Sequence, residues 1–343
     1  MRHFSHFWVR FILLGLLISS CRPAVEKKIT DEKSKTSPGN AEIEVLNENI
    51  LSDSLNAEHY YLRSRYYIEQ KDINKALADI RKAIQLNENK SDYFVALSDI
   101  YLSMERIPNC MEALKRAEEL DPANNSALLK LAEVHLILKD YTNTFEYTKR
   151  ALDLDLINPV AHFIRGYAYM ELGDSTLAIR NFQAAADQDQ GYYAAYIELG
   201  SLYAAQKNSL AAGYLHTAIR IDPNRRDAYY LLAMAYQEEE NIPMAVETYE
   251  KLIVISPDFK EAYYNLGYIN LVYINDFEEA IRYFSKAISL DPKYTDAFFN
   301  RGYSHELLGD YANARKDYQK ALELVPNYER SISGMNRLDS LAE

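Results

Sequence analysis

The chain has 343 residues, enough for about two globular domains or for one elongated array. Glycine and proline are sparse, at 11 and 10, while tyrosine reaches 29, a balance that favours helices over a turn-rich β-protein. A net charge of −12 argues against general affinity for nucleic acid, which needs lysine and arginine to displace counterions from phosphates. Two cysteines, Cys21 and Cys110, are too few for a disulfide framework.

Residues 1–20 come first. Arg2 and Arg10 give a basic start, and Phe11 to Ile18 form an unbroken apolar run. Such a run is too short to cross a bilayer core of ~30 Å as a helix, which takes about 20 residues, so 1–20 reads as a cleavable signal peptide. Its end, Ile18-Ser19-Ser20-Cys21, resembles the bacterial lipobox. That resemblance implies lipidation of the Cys21 thiol, cleavage before it and a further acyl chain on the new amine. It also implies a protein of the cell envelope, lipid-anchored to a membrane, with the outer membrane facing the periplasm as the expected site. Acyl chains contribute about 0.8 kcal/mol per buried CH₂, so several of them hold a protein at a bilayer. Residues 21–56 then read as a lipid-attached flexible tether. "EKKITDEKSKTSPGN" (26–40) is charged and lacks aromatics, while Ile43, Leu46 and Ile50 hint at a short helix after it.

From residue 57 one unit repeats. Ala83, Ala117, Ala151, Ala185, Ala218, Leu252, Ala287 and Ala321 recur at a spacing close to 34 residues. Ser64, Ser98, Ala132, Gly166, Gly200, Ala233, Gly267 and Gly302 form a second small-residue series. Ala76, Cys110, Thr144, Ala178, Ala211, Ala245, Ala280 and Ala314 form a third. Two helices approach closely only where side chains are short, so the three series predict antiparallel helix pairs. Bulky residues such as Phe182, Leu215, Tyr249, Phe284 and Tyr318 fill the space between notches, and Pro122, Pro223, Pro257, Pro292 and Pro326 stop the second helix. The units are 57–90, 91–124, 125–158, 159–192, 193–225, 226–259, 260–294 and 295–328. The third is atypical at His135, Thr144, Thr148 and Leu156. The fifth lacks a residue near 206–209 and the seventh has one extra near 272–276, both expected in the turn between helices. Residues 329–343, with Ile332, Met335, Leu338 and Leu341 three apart, predict an amphipathic capping helix.

This pattern resembles the tetratricopeptide repeat. The resemblance implies an all-α, right-handed superhelical solenoid of about eight helix-turn-helix units, with first helices lining a concave face that binds partner proteins as peptides or helices. Carried onto this chain, the partner-binding residues are Phe163, Tyr167, Tyr230, Tyr264, Asn265, Tyr268, Phe299, Asn300 and Tyr303. Asn265 and Asn300 are expected to pair with a peptide backbone, since an amide both donates and accepts. The basic clamp that some members use for acidic tails is not matched.

No phosphate loop, zinc motif or nucleophile elbow occurs, and the histidines are scattered. His135, His162 and His305 are expected as core substitutes, Cys110 as a small buried hydrophobe, and "EEEN" (238–241) as a solvated charge run. The expectation is therefore a non-enzyme without catalytic, cofactor or metal residues: a lipoprotein scaffold binding other envelope proteins. Two alternatives stand beside it. One is a solute- or glycan-capturing lipoprotein of a nutrient-uptake system; the other is an assembly factor for outer-membrane or secretion machinery.

Overall fold

The structure is a computed structural model and describes residues 38–341; the signal-like segment and Cys21 lie outside that range. Among the described residues there are eighteen α-helices and no strand. They are α1 (Pro38–Ser52), α2 (Ala57–Glu69), α3 (Ile73–Leu86), α4 (Ser91–Ser103), α5 (Ile107–Leu120), α6 (Asn125–Ile137), α7 (Tyr141–Leu154), α8 (Pro159–Glu171) and α9 (Ser175–Gln188). Then follow α10 (Tyr193–Ala205), α11 (Leu210–Ile221), α12 (Arg226–Glu238), α13 (Ile242–Ile255), α14 (Lys260–Ile269), α15 (Phe277–Leu290), α16 (Thr295–Leu307), α17 (Tyr311–Leu324) and α18 (Glu329–Ser340). The chain divides after Tyr192 into two compact units, and α2 to α17 pair into consecutive hairpins within them.

Local chemistry sets the hairpin ends. The turn inside a pair carries one left-handed residue: Lys71, Lys139 or Gly173 in unit one, Asn275 or Gly309 in unit two. In these five hairpins an aspartate follows it, Asp72, Asp140, Asp174, Asp276 and Asp310 respectively, and its carboxylate accepts a backbone N–H of the new helix's first turn. Helices α5, α11, α13, α15 and α17 each end two residues before a proline.

The notches work at close range. A Cβ placed on Gly166 would stand 2.6 Å from the Phe182 ring, and one on Gly200 would stand 2.5 Å from Leu215 Cγ. Gly267 meets Phe284 at 2.8 Å and Gly302 meets Tyr318 at 3.0 Å. The ring of the second helix therefore rests on the bare backbone of the first. Phe182, Leu215, Phe284 and Tyr318 are all fully buried by this contact.

The structure corrects four expectations. First, the segment read as tether is helical from Pro38 to Ser52 and packs on α2. Ile50 is buried, and Asn47 Oδ1 accepts from Arg63 Nη1 at 2.8 Å while Arg63 Nε bonds Asp79 at 2.7 Å. In unit two Arg301 makes the same pair of contacts, to Ser285 at 3.1 Å and Asp317 at 2.7 Å, each sixteen residues away as in unit one. Helix α1 thus takes the place of a second helix in a preceding half-repeat. Second, the extra residue of the seventh unit is not in the turn. It widens the end of the first helix into a π-turn, Asn270–Ile274, in which Asn275 N–H donates to Asn270 O. Leu271, within this π-turn, is buried.

Third, the residue missing from the fifth unit is lost from the first turn of α11. Ala211 N–H reaches Asn208 O three residues back, where Ala178 N–H reaches Asp174 O four back. Fourth, the buried stripe of α18 is Ser331, Gly334 and Leu338; Ile332 and Leu341 face solvent. A strict spacing of three drifts off a face that turns every 3.6 residues. Gly334 lets Tyr318 sit on α18 as it sits on Gly302, so the last helix mimics the first helix of a further repeat.

Two glycines test this packing. Gly166→Ala forces Phe182 to shift and is expected to cost about 1–3 kcal/mol. Gly213, inside α11 with nothing within 4 Å of a new Cβ, is expected to gain about 0.5–1 kcal/mol as alanine. Urea unfolding of both variants reads the contrast; equal effects would show that the notch is not a close contact.

Candidate partner-binding face

The residues assigned to partner binding fall into two places. In unit one, Phe163 and Tyr167 are both 1% exposed. Phe163 packs edge-on against Tyr192 at 5.0 Å and against Phe182 at 5.4 Å; Tyr167 lies 5.3 Å from Phe182. Both rings belong to the core, not to an open surface.

In unit two the same arrangement recurs. Tyr230 meets Phe259 edge-on at 5.1 Å, Tyr264 stacks on Tyr294 at 4.9 Å, and Phe299 meets Tyr328 at 5.9 Å. Each is an inward aromatic wedged by the aromatic that precedes the next first helix. Sequence reasoning missed Tyr192, Phe259, Tyr294 and Tyr328, although their recurrence just before a first helix was readable.

The asparagines are spent inside the array. Asn265 Nδ2 donates to Tyr249 OH at 2.8 Å, and Asn300 Nδ2 donates to Tyr264 OH at 2.9 Å. Asn300 is buried, so its NH₂ group serves the neighbouring repeat and is not presented to a peptide. Burial, reinforced by the carboxylate of Asp296, pushes the Tyr264 phenol well above its ordinary range, so it stays protonated.

Helix α18 closes the last repeat. Arg337 binds Glu306 with two hydrogen bonds, Nε at 2.7 Å and Nη2 at 2.9 Å. Burial opposes ionisation of Glu306, but the bonds from Arg337 and Tyr318 outweigh it and hold the carboxyl below its usual range. Arg330 lies over the Phe299 ring at 4.3 Å, Arg337 over Tyr303 at 5.5 Å, and Tyr328 OH donates to Asp296. Of the nine assigned residues, Tyr230, Tyr264, Asn265, Tyr268 and Tyr303 are half-buried and the other four are buried.

Unit one holds a charge cluster that the sequence reading overlooked. Lys130 Nζ lies 3.0 Å from Asp99 and 3.2 Å from Glu133, with Lys130 and Glu133 both buried. Burial raises the Glu133 carboxyl above its usual range although Lys130 opposes it. Burial, aided by Asp99, also pushes the Cys110 thiol up to about 12, so this sulfur is a packing group. His135 and His305 are half-buried rather than core residues. Each shares a hydrogen bond with the cap of the following helix, Asp140 at 3.0 Å and Asp310 at 3.1 Å. Among the described residues no group of histidine, cysteine, aspartate and glutamate is arranged to hold a metal ion.

Two family models described as tetratricopeptide repeat match the chain, one over residues 163–226 and 269–329, the other over 57–90, 91–124 and 227–259. Neither match includes 125–158, which nevertheless forms the hairpin α6–α7. Among solved structures, the C-terminal part of a tetratricopeptide-repeat-containing protein from Cytophaga hutchinsonii superposes with a TM-score of 0.61 at 20% identity. The match covers 70% of this chain and 98% of that one. The Cut9–Hcn1 assembly gives 0.51 at 13% identity, covering 88% of this chain and 60% of that one. A tetratricopeptide repeat protein from Parabacteroides merdae gives 0.49 at 17% identity, covering 72% and 98%. At such identities the likeness concerns the fold. Among curated proteins, none matches the chain.

The bond between Asn300 and Tyr264 is expected to stabilise the array. Asn300→Ala and Tyr264→Phe should each cost about 1–3 kcal/mol, with the double variant less destabilised than the sum by about 1 kcal/mol. Urea unfolding of the four proteins measures the difference, and strict additivity would remove the bond from the account.

Proposed function

The chain belongs to the tetratricopeptide-repeat family, and we propose that it is a non-catalytic scaffold that docks other proteins on its first-helix face. The observation that carries this reading is the half-exposed pair Tyr268 and Tyr303 on a frame fixed from behind. Both rings pack against the core below them, and Arg337 flanks Tyr303. Rings held in one orientation lose little freedom when a partner arrives, so burial against them converts more fully into affinity. The packed wedge residues contribute rigidity to this surface, and Tyr268, Tyr303 and the neighbouring exposed Met234 contribute the contact area.

We further propose that the scaffold is held at a membrane of the bacterial cell envelope through lipid on Cys21, and that its partners are envelope proteins. The lipobox-like end of the signal supports this reading. Among the described residues no helix is long and apolar enough to cross a membrane. Helix α1 begins at Pro38, and the chain between Cys21 and Pro38 spans at most about 60 Å even fully extended. That length bounds how far from the bilayer the first hairpin can lie.

Two measurements test these readings separately. Cys21→Ser is expected to abolish incorporation of a clickable fatty acid and to move the protein to the soluble fraction; label that persists on the variant would reject the anchor. Tyr268→Ser with Tyr303→Ser is expected to lower retention of partners cross-linked in intact cells by about tenfold with a small change in melting temperature. Unchanged retention in a folded double variant counts against the first-helix face as the docking surface.

A further inference from the structure

The π-turn has a consequence away from the first-helix face. One residue more separates Tyr268 from left-handed Asn275 than separates Tyr303 from left-handed Gly309. The helix end is rotated by that insertion. Leu271 turns into the core, while Val272, Tyr273 and Ile274 emerge with exposures of 46%, 40% and 49%. Three consecutive large apolar side chains in solvent at a turn gain nothing from the fold and favour association. The Tyr273 ring is not loose: it stands edge-on to Tyr268 at 6.4 Å. At the turn of the next hairpin, Leu307 and Leu308 are also exposed. Two successive turns of unit two thus present apolar side chains to solvent.

The preceding turn in the same unit has the opposite character. Glu238, Glu239 and Glu240 are exposed, with Glu240 itself the left-handed residue. The same left-handed place holds a lysine at 71, 139 and 207 and a glutamate at 105. Among the described residues none of these three glutamates forms an ion pair. Burial first, and then Tyr268 and the carboxylates of Glu240 and Glu238, push the Tyr273 phenol above its ordinary range. Unpaired carboxylates bordering an apolar strip are complementary to a segment with leucine-like side chains and flanking cations. Neighbouring hairpins pack about 10 Å apart, so three successive turns span roughly 20 Å, the length of about 14 residues of helix.

We propose that the edge formed by Val272, Tyr273, Ile274, Leu307 and Leu308, with Glu238 to Glu240 beside it, docks a basic amphipathic helix of another protein. This surface lies at the hairpin turns and operates apart from the first-helix face. The probe is a fluorescein-labelled amphipathic helix of leucine and lysine, about 14 residues long, with its leucine and glutamate counterpart as control, followed by anisotropy on the full chain. The lysine peptide is expected to bind, and the glutamate peptide to bind at least about tenfold more weakly. Two variant sets, Val272→Ser with Tyr273→Ser and Ile274→Ser, and Glu238→Gln with Glu239→Gln and Glu240→Gln, are each expected to weaken the lysine peptide about tenfold with helical circular dichroism retained. Tyr303→Ser alone, which tests the first-helix face without removing the Tyr268 ring against Tyr273, is expected to leave it within about twofold. Equal binding of the two peptides, or variants of both kinds that bind like the parent, overturns the proposal. So does self-association of the chain that Val272→Ser with Tyr273→Ser and Ile274→Ser abolishes, because the occupant of the edge is then a second copy.

Discussion

The hairpins, the third excepted, depend on a large side chain of the second helix seated on a side chain of minimal size in the first. Where the first-helix residue is glycine the contact is made with backbone, as for Gly166 under Phe182 and Gly267 under Phe284. This fit fixes the separation of the two helices and leaves room for the third small series, Ala76 to Ala314, buried along the second helix. The third hairpin shows what happens when the large partner is absent. Ala132 faces a pair in which Thr148 replaces the ring, and the hydroxyls of Thr144 and Thr148 turn back to Asp140 O and Thr144 O at 3.0 and 2.8 Å. The helices persist because α6 is buried continuously from Ala127 to Val134, with Leu128, Leu131 and Val134 inside. The family pattern, which is largely a pattern of notch and ring, is blurred at that point.

The ends obey the same register. Arg63 in the first hairpin and Arg301 in the last each reach across to an aspartate of their own second helix, and each also binds a residue of the helix before. At the amino end that preceding helix is α1, and at the carboxy end α18 covers the last second helix in turn. An array that began at residue 57 would expose the stacking side of its first hairpin to water; α1 covers part of it instead. Arg165 in the fourth hairpin holds the matching position, but Asn181 stands where Asp79 and Asp317 stand, and among the described residues Arg165 Nε has no hydrogen-bond partner. The clamp is complete at the two ends of the repeat series and incomplete within it. Buried guanidinium–carboxylate pairs contribute modestly to stability and strongly to geometry, which suits a role in fixing the terminal helices.

The period of 34 was legible because small residues at a helix crossing admit few alternatives. The helix at Pro38–Ser52 was half legible: Ile43, Leu46 and Ile50 suggested it, but charged residues around them masked the docking that Asn47 provides. The extra residue of the seventh unit was counted correctly and placed wrongly. An insertion anywhere between Tyr268 and Asp276 gives the same sequence spacing, and only backbone hydrogen bonding distinguishes a longer turn from a π-turn. In α18 the apolar residues suggested one face and the structure uses another, because Gly334 serves closeness to Tyr318 rather than hydrophobicity and Ser331 is buried beside it on the same stripe. The assigned face was the least legible part. Phe163, Tyr230, Tyr264 and Phe299 occupy inward positions in sequence, yet an aromatic ring there can serve stacking as well as binding, and each has a wedge partner that decides for stacking.

That division bears on where recognition resides in such an array. Several side chains near the first-helix face are consumed by neighbours: Asn300 by Tyr264, Glu306 by Arg337, Asp296 by Tyr328. An inward position is therefore weak support for a binding role. Side chains that no neighbouring repeat takes up are under no such demand. Met234, Tyr268 and the π-turn triplet Val272 to Ile274 keep apolar surface in solvent on elements whose backbone is held by the notch contacts beneath. In a fold whose regularity is its stability, the departures from regularity are the places free to carry specificity.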